Sequence, residues 1–229
     1  MMFPYLDSTI VLLIPAMLFS LWAQFKVKGA FSRYSEVRAA SGVTADQVSR
    51  VLLDKFGLGN VRVERIQGHL TDHYDPRSKV LRLSDAVSGN SSIAAIGVAA
   101  HEVGHAIQDK EGYAFLRIRN SIVPAVSIGS TMSMPLFFIG LIMGYTPLLN
   151  IGILLFCGVL VFHLVTLPVE FDASARALKL LSETGLLAGN EVGGAKAVLD
   201  AAALTYVAAL VMTILQLVRL IALRGMRRD

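Results

Sequence analysis

Four long apolar runs divide the chain, at residues 9–25, 121–143, 147–167 and 201–223. The second and third each exceed the about 20 residues that an α-helix needs to cross a hydrocarbon core. Only Gly144 to Thr146 separate them, which predicts a tight helical hairpin. The first run is uncharged, with Tyr5 and Trp22 placed as interfacial anchors. A cleaved signal peptide would want a basic stretch ahead of its apolar run. Asp7 is the only charge there, and Lys26 and Lys28 follow the run as in a signal anchor. The fourth run begins Ala-rich, so its start is uncertain, and Arg219 stands near enough to its end to snorkel.

The polar stretches between these runs, 26–120 and 168–200, predict one extramembrane lobe. Thr44 and Gln47 have capping-box spacing before an amphipathic helix carrying Val48, Val51, Leu52 and Phe56, which Gly57 would end. Val61 to Ile66 alternates as a strand does. HLTDHYDPRSKVLRLS predicts two short strands joined by a turn at Asp75-Pro76-Arg77-Ser78. Asn90, Ser91 or Ser92 can cap a further helix from Ile93 to about Asp109. The expected fold is therefore a mainly α membrane protein. About four transmembrane helices carry a small α+β lobe, all within one domain, 1–229.

Composition agrees. Charged residues make up 17% of the chain, against roughly 25% in an average soluble domain. The net charge of +4 fits a cytoplasmic excess of Lys and Arg. No basic tract with interleaved aromatics occurs, so a nucleic-acid partner is not expected. Cys157 is the single cysteine and lies in an apolar run. Any metal must therefore be held by histidine and carboxylate.

His101 and His105 stand four apart in GVAAHEVGHAIQ, on one face of the predicted helix. Both imidazoles can reach one ion at about 2.0–2.1 Å. Glu102 is rotated by about 100°, which places it beside the water that such an ion acidifies. The ion would supply Lewis acidity and Glu102 proton transfer. The plainer reading is a surface helix whose histidines are incidental. Val98, Ala99, Ala100, Val103, Ala106 and Ile107 argue for burial instead, and burying two His and a Glu without a partner is costly.

A catalytic zinc site wants a third protein ligand and one open position. Glu170, in PVEFDASARAL, follows the third run, and two crossings would return it to the side of His101 and His105. Pro168 suits the first turn of a helix or a kink in a continuing one. Glu170, Ser174 and Ala177 would share a face and Asp172 would point elsewhere, though Asp172 is the next candidate ligand. A carboxylate placed only for the helix dipole is the alternative for Glu170. His163 would stand about 10 Å from Glu170 along a shared helix, too far to bind one ion with it. His73 or Tyr74 is a candidate for steadying an oxyanion, against the plainer reading of both as strand or turn residues. One zinc per chain is the expected cofactor.

LTDHYDPRSKVLRLS, AAHEVGHAIQ, PVEFDASARAL and LDAAALTYVAA, spread over nearly the whole chain, together resemble the YugP-like neutral zinc metallopeptidases of bacterial membranes. The resemblance implies a zincin-like lobe and a zinc-dependent, gluzincin-like membrane endopeptidase. His101, His105 and Glu102 would take the roles argued above. The order of HExxH, membrane hairpin and Glu is also similar to HtpX-type and CAAX-prenyl-protease-type enzymes. Those carry Glu-x-x-x-Asp, whose Asp supports a zinc-bound histidine. Here Ser174 stands in its place, so Ser174 or Asp172 is the candidate for that support. Zincins hold the peptide as an extended strand on an edge strand. The resemblance places that edge at 70–74 or 80–83, with Leu70, Val80 and Leu81 along it.

The expected partners are a peptide or membrane-protein substrate and the lipid bilayer. Oligomeric state is not legible. A zinc-stabilised scaffold without turnover is the alternative function, but it would need no general base and would close the site with a fourth ligand. A transporter is a further alternative, and the runs lack its usual ionisable residues apart from His163 and Arg219. Lys26, Lys28, Arg33, Arg38, Arg117, Arg119, Arg176 and Lys179 flank the runs on the lobe side. Arg224, Arg227 and Arg228 stand on the other side. The balance predicts a bacterial cell membrane protein with a cytoplasmic lobe. A fourth helix lying along the interface is the fallback.

Overall fold

A computed structural model of the chain describes residues 8–226. Tyr5, Asp7, Arg227 and Arg228, expected to act as an anchor and as terminal charges, lie outside the described residues. All four apolar runs are helical, and each helix overruns its run. A 3-10 turn, Ser8–Leu13, leads into α1, Ile14–Ser35. The other three are α4, Ala114–Met143; α5, Thr146–Glu183; and α6, Asn190–Gly225. Among the described residues these four helices are long and apolar enough to cross a bilayer. Most of the second polar stretch is thus helix, and Pro168 sits inside α5 rather than at its start. The polar continuations keep the helical period: Val169, Ala173, Ala177, Leu180 and Leu181 are all buried.

Two compact units result. The first holds residues 8–24, 118–167 and 205–226 of those described. Here α4 and α5 form the expected hairpin, with Gly144 at φ 73° and Tyr145 between them. Small residues let the two backbones approach. A Cβ on Gly140 would fall 2.8 Å from the Leu149 amide nitrogen, and one on Gly152 would fall 2.8 Å from the Ser133 carbonyl oxygen. Such contacts are a main source of helix association where lipid is as apolar as the side chains. Phe137, Leu149, Phe156 and Leu220 form the packed centre. Arg219 donates to the Thr9 hydroxyl at 3.3 Å.

The second unit, residues 25–117 and 168–204, is the lobe. Its α2, Ala45–Lys55, carries the complete Thr44/Gln47 capping box. The buried face is Ala45, Val48, Ser49, Leu52 and Leu53. Val51, expected on that face, is 48% exposed, because the packed stripe turns toward Leu53 instead. Strands β1, Arg62–Ile66, β2, His73–Asp75, and β3, Val80–Ser84, form a sheet in the order β1-β3-β2. β1 is parallel to β3 and β2 antiparallel to it. The turn between β2 and β3 is held by Asp75, which accepts from the Arg77 amide and the Ser78 hydroxyl. α3, Ile93–Glu111, starts at the Ser92 cap and stops at Gly112, φ 67°. It lies under β2 and β3, and α2 packs along it. Ile96, Val103 and Ile107 of α3 meet Leu52, Leu81, Leu83 and Leu181 in the core.

Removing a Thr N-cap typically costs about 1 kcal/mol. Thr44→Ala should therefore speed amide exchange in the first turn of α2 roughly fivefold, read by hydrogen–deuterium exchange. Unchanged exchange would show that packing alone holds this end.

Candidate metal centre

α3 and α5 approach closely where Gly104 meets Ala173. A Cβ on Gly104 would lie 2.7 Å from the carbonyl oxygen of Ala173 and 3.1 Å from its Cα. Only hydrogen at Gly104 permits this approach, which brings side chains one turn either side of the crossing within reach. His101 and His105 project from α3 and Glu170 from α5. The Glu170 Oε2 lies 3.3 Å from Nε2 of His101 and 3.7 Å from Nε2 of His105. The three ligating atoms lie within 4.8 Å of one another. The imidazoles stand edge to face, 4.7 Å between ring centres. All three side chains are largely withdrawn from solvent, at 15%, 12% and 5% exposed.

These distances fit a zinc ion. Tetrahedral donors at about 2.0–2.2 Å from the metal stand roughly 3.3–3.6 Å from one another. Glu102 is also buried, at 7% exposed. Burial lowers the His105 pKa, but the hydrogen bond to Glu170 and the charges of Glu102 and Glu170 outweigh it and hold the ring above its ordinary value. The pocket thus favours positive charge, as a cation site should.

The other ring nitrogens are engaged. His101 Nδ1 meets Ser174 Oγ at 3.1 Å, and His105 Nδ1 meets Gln108 Oε1 at 3.0 Å. The Gln108 amide nitrogen donates to Asp172 Oδ2 and to the Val169 carbonyl, both at 2.8 Å. Arg176 closes the chain, donating to Asp172 and to Glu111 at 2.6 Å each. Asp172 therefore reaches His105 only through Gln108. Gln108, Arg176 and Gly104 were missed by reasoning from sequence. The signal for Gln108 was its place three residues after His105, on the same helical face.

The remaining sequence candidates lie elsewhere. His73 Nδ1 contacts the Thr71 carbonyl, and its Nε2 faces Arg82 at 3.3 Å. Tyr74 donates its hydroxyl to Asp109 at 2.8 Å, and burial with that bond pushes its pKa up. Of the two expected edges, 70–74 overlaps the outer strand β2 at His73 and Tyr74, whereas Leu70, Val80 and Leu81 are corrected. Leu70 lies outside any strand, in the left-handed region at φ 57°. Val80 and Leu81 are on β3, which is hydrogen-bonded on both sides and offers no free edge. His163 is half-buried beside Phe162, and His69 stacks edge-on against Phe31.

Residues 9–225 match the family model described as "Putative neutral zinc metallopeptidase". The chain belongs to this family. A relative from Bacillus subtilis (strain 168), named "Putative membrane protease YugP", is 47% identical over 220 residues, covering 96% of this chain and 98% of the relative. No solved structure matches the chain. Membership in a zinc metallopeptidase family and four membrane-length apolar helices make this a membrane metallopeptidase whose cofactor is zinc.

Gly→Ala inside a helix ordinarily stabilises it by up to about 1 kcal/mol. Gly104→Ala should reverse that sign, costing about 1–3 kcal/mol through the forced retreat of α5. Thermal unfolding of the detergent-solubilised protein should show a lowered Tm; a wild-type Tm would mean that α5 moves away freely.

Proposed function

We propose that the protein is a gluzincin-type endopeptidase in which His101, His105 and Glu170 hold the zinc and Glu102 is the general base. The observation that carries this reading is the convergence of three ligating atoms from α3 and α5 beside a buried fourth carboxylate. When bound, zinc supplies Lewis acidity to the scissile carbonyl and makes water easier to deprotonate. Glu102 takes the proton from the attacking water and returns it to the leaving amine nitrogen. Among the described residues three candidate ligands converge rather than four, which would leave a position open and favours turnover over a structural site. Ser174 and Gln108 hold the two imidazoles in place.

The extended peptide would add to the free edge of β2. Of the two outer strands, β2 packs against the motif helix α3 while β1 packs against α2. Main-chain pairing there would give affinity with little sequence specificity.

The lobe is assigned to the cytoplasmic side of a bacterial membrane, following the excess of Lys and Arg next to it. The bond between Thr9 and Arg219 joins the start of the first apolar helix to the end of the fourth. That pairing supports four crossings with both outer ends on one side, rather than an α6 lying along the interface.

Purified wild-type protein should contain about one zinc per chain. His105→Ala and Glu170→Ala should lose most of it, while Glu102→Gln should keep it and abolish peptide cleavage. Loss of zinc from Glu102→Gln, measured by elemental analysis, would reassign Glu102 from base to ligand.

Topology has its own test. A single cysteine placed at Ser78, in a background lacking Cys157, should react with an impermeant maleimide only after the cells are permeabilised. Labelling from outside intact cells overturns the cytoplasmic assignment.

A further inference from the structure

Gln108 is fully buried, yet each end of its amide is engaged. The orientation of the amide follows from its surroundings. On the α5 side it meets the Val169 carbonyl and the Asp172 carboxylate, the latter paired with the Arg176 guanidinium. Both are acceptors, so the NH2 end must face them. A flipped amide would set its oxygen against two other oxygens and leave both buried acceptors without a donor, a costly arrangement. The oxygen end therefore faces His105 Nδ1 at 3.0 Å. An amide oxygen can only accept, so Nδ1 must carry the proton. A neutral imidazole protonated at Nδ1 has its lone pair on Nε2, and that nitrogen faces Glu170.

His101 is held differently. Its Nδ1 meets the Ser174 hydroxyl, which can donate or accept and so dictates no tautomer. Of the two histidines, only His105 has its ring state dictated by a neighbour that is itself locked.

We infer that Gln108 is a positioning residue that fixes His105 as its Nδ1–H tautomer and so presents Nε2 to the metal. This rests on the ligand assignment proposed above. The device puts a neutral amide where a carboxylate often stands behind a metal-bound histidine. The carboxylate, Asp172, is moved one bond outward and neutralised by Arg176. The lock also ties α3 to α5, since its two donors end on α5 while its acceptor serves α3.

Full-length protein in detergent, stripped of metal by chelator, allows the test. Gln108→Met keeps the volume but removes the acceptor, whereas Gln108→Glu keeps an oxygen toward Nδ1 and loses the amide donors. Zinc competition titrations should show the Met variant weakened about 10–100-fold. The Glu variant should recover to within about tenfold of wild type. Equal weakening in both would mean that Gln108 serves only as a tie between helices, and wild-type affinity in the Met variant would remove it from the site altogether. Wild-type protein loaded with ¹¹³Cd and ¹⁵N-histidine gives a readout that needs no variant. Coupling should appear on His105 Nε2, with Nδ1 protonated; coupling through Nδ1 overturns the inference even if the Met variant fails to fold. His105→Ala reports on the premise separately: full zinc retention there would sink the ligand assignment itself, not the tautomer lock.

Discussion

The chemistry of the lobe depends on how near two helix backbones come at Gly104. His101 and His105 lie three residues before and one after that glycine, and Glu170 lies three residues before Ala173 on the facing helix. The candidate ligand atoms 3.3 and 3.7 Å apart are reached from helices whose backbones approach at Gly104. A methyl group at Gly104 would occupy the space of the Ala173 carbonyl. The same approach brings Gln108 into reach of Val169 and Asp172. One absent side chain therefore serves both the ligand set and the hydrogen bonds behind it.

Burial then governs the polar groups. Glu102, Glu170 and Gln108 lie in or beside an apolar core, and withdrawn charges must be paired or bonded. The chain from His105 through Gln108 and Asp172 to Arg176 and Glu111 meets that demand in steps. It begins at a ring 12% exposed and ends at a carboxylate 49% exposed. Asp172 and Glu111 are each paired with Arg176 along this chain. A cation held by the imidazoles and Glu170 would complete the balance at the inner end.

Much of this was legible in the sequence, for physical reasons that can be named. Runs of apolar residues longer than 20 read directly as helices, and four-residue spacing on a helix fixes a shared face at His101 and His105. The pairing of Glu170 with that face followed from chain parity across the hairpin. Three things were not legible. Helix ends inside polar sequence leave no change of period to mark them, so α1, α5 and α6 run well beyond their apolar parts. Strand order depends on contacts distant in sequence: nothing in VLRLS says that β3 is central rather than at an edge. Gln108 was hidden because an amide has no charge to single it out, and its value lies wholly in the α5 groups around it.

A hairpin of apolar helix separates the two candidate ligand helices, α3 and α5, in the chain. His105 and Glu170 are separated by α4 and by the apolar part of α5, so the chain must leave the lobe and return before the ligand set is complete. Segments that close such long loops are entropically costly to bring together. Close contacts at Gly140 and Gly152 pair α4 with α5 along the hairpin. With that pairing formed, α5 re-enters the lobe as one continuous helix carrying Glu170, Asp172, Ser174 and Arg176 in fixed register. No loop intervenes between the apolar span and these side chains, so their spacing is that of the helix itself. Pro168 falls two residues before Glu170 within α5 and, lacking an amide hydrogen, cannot donate one of the helical bonds.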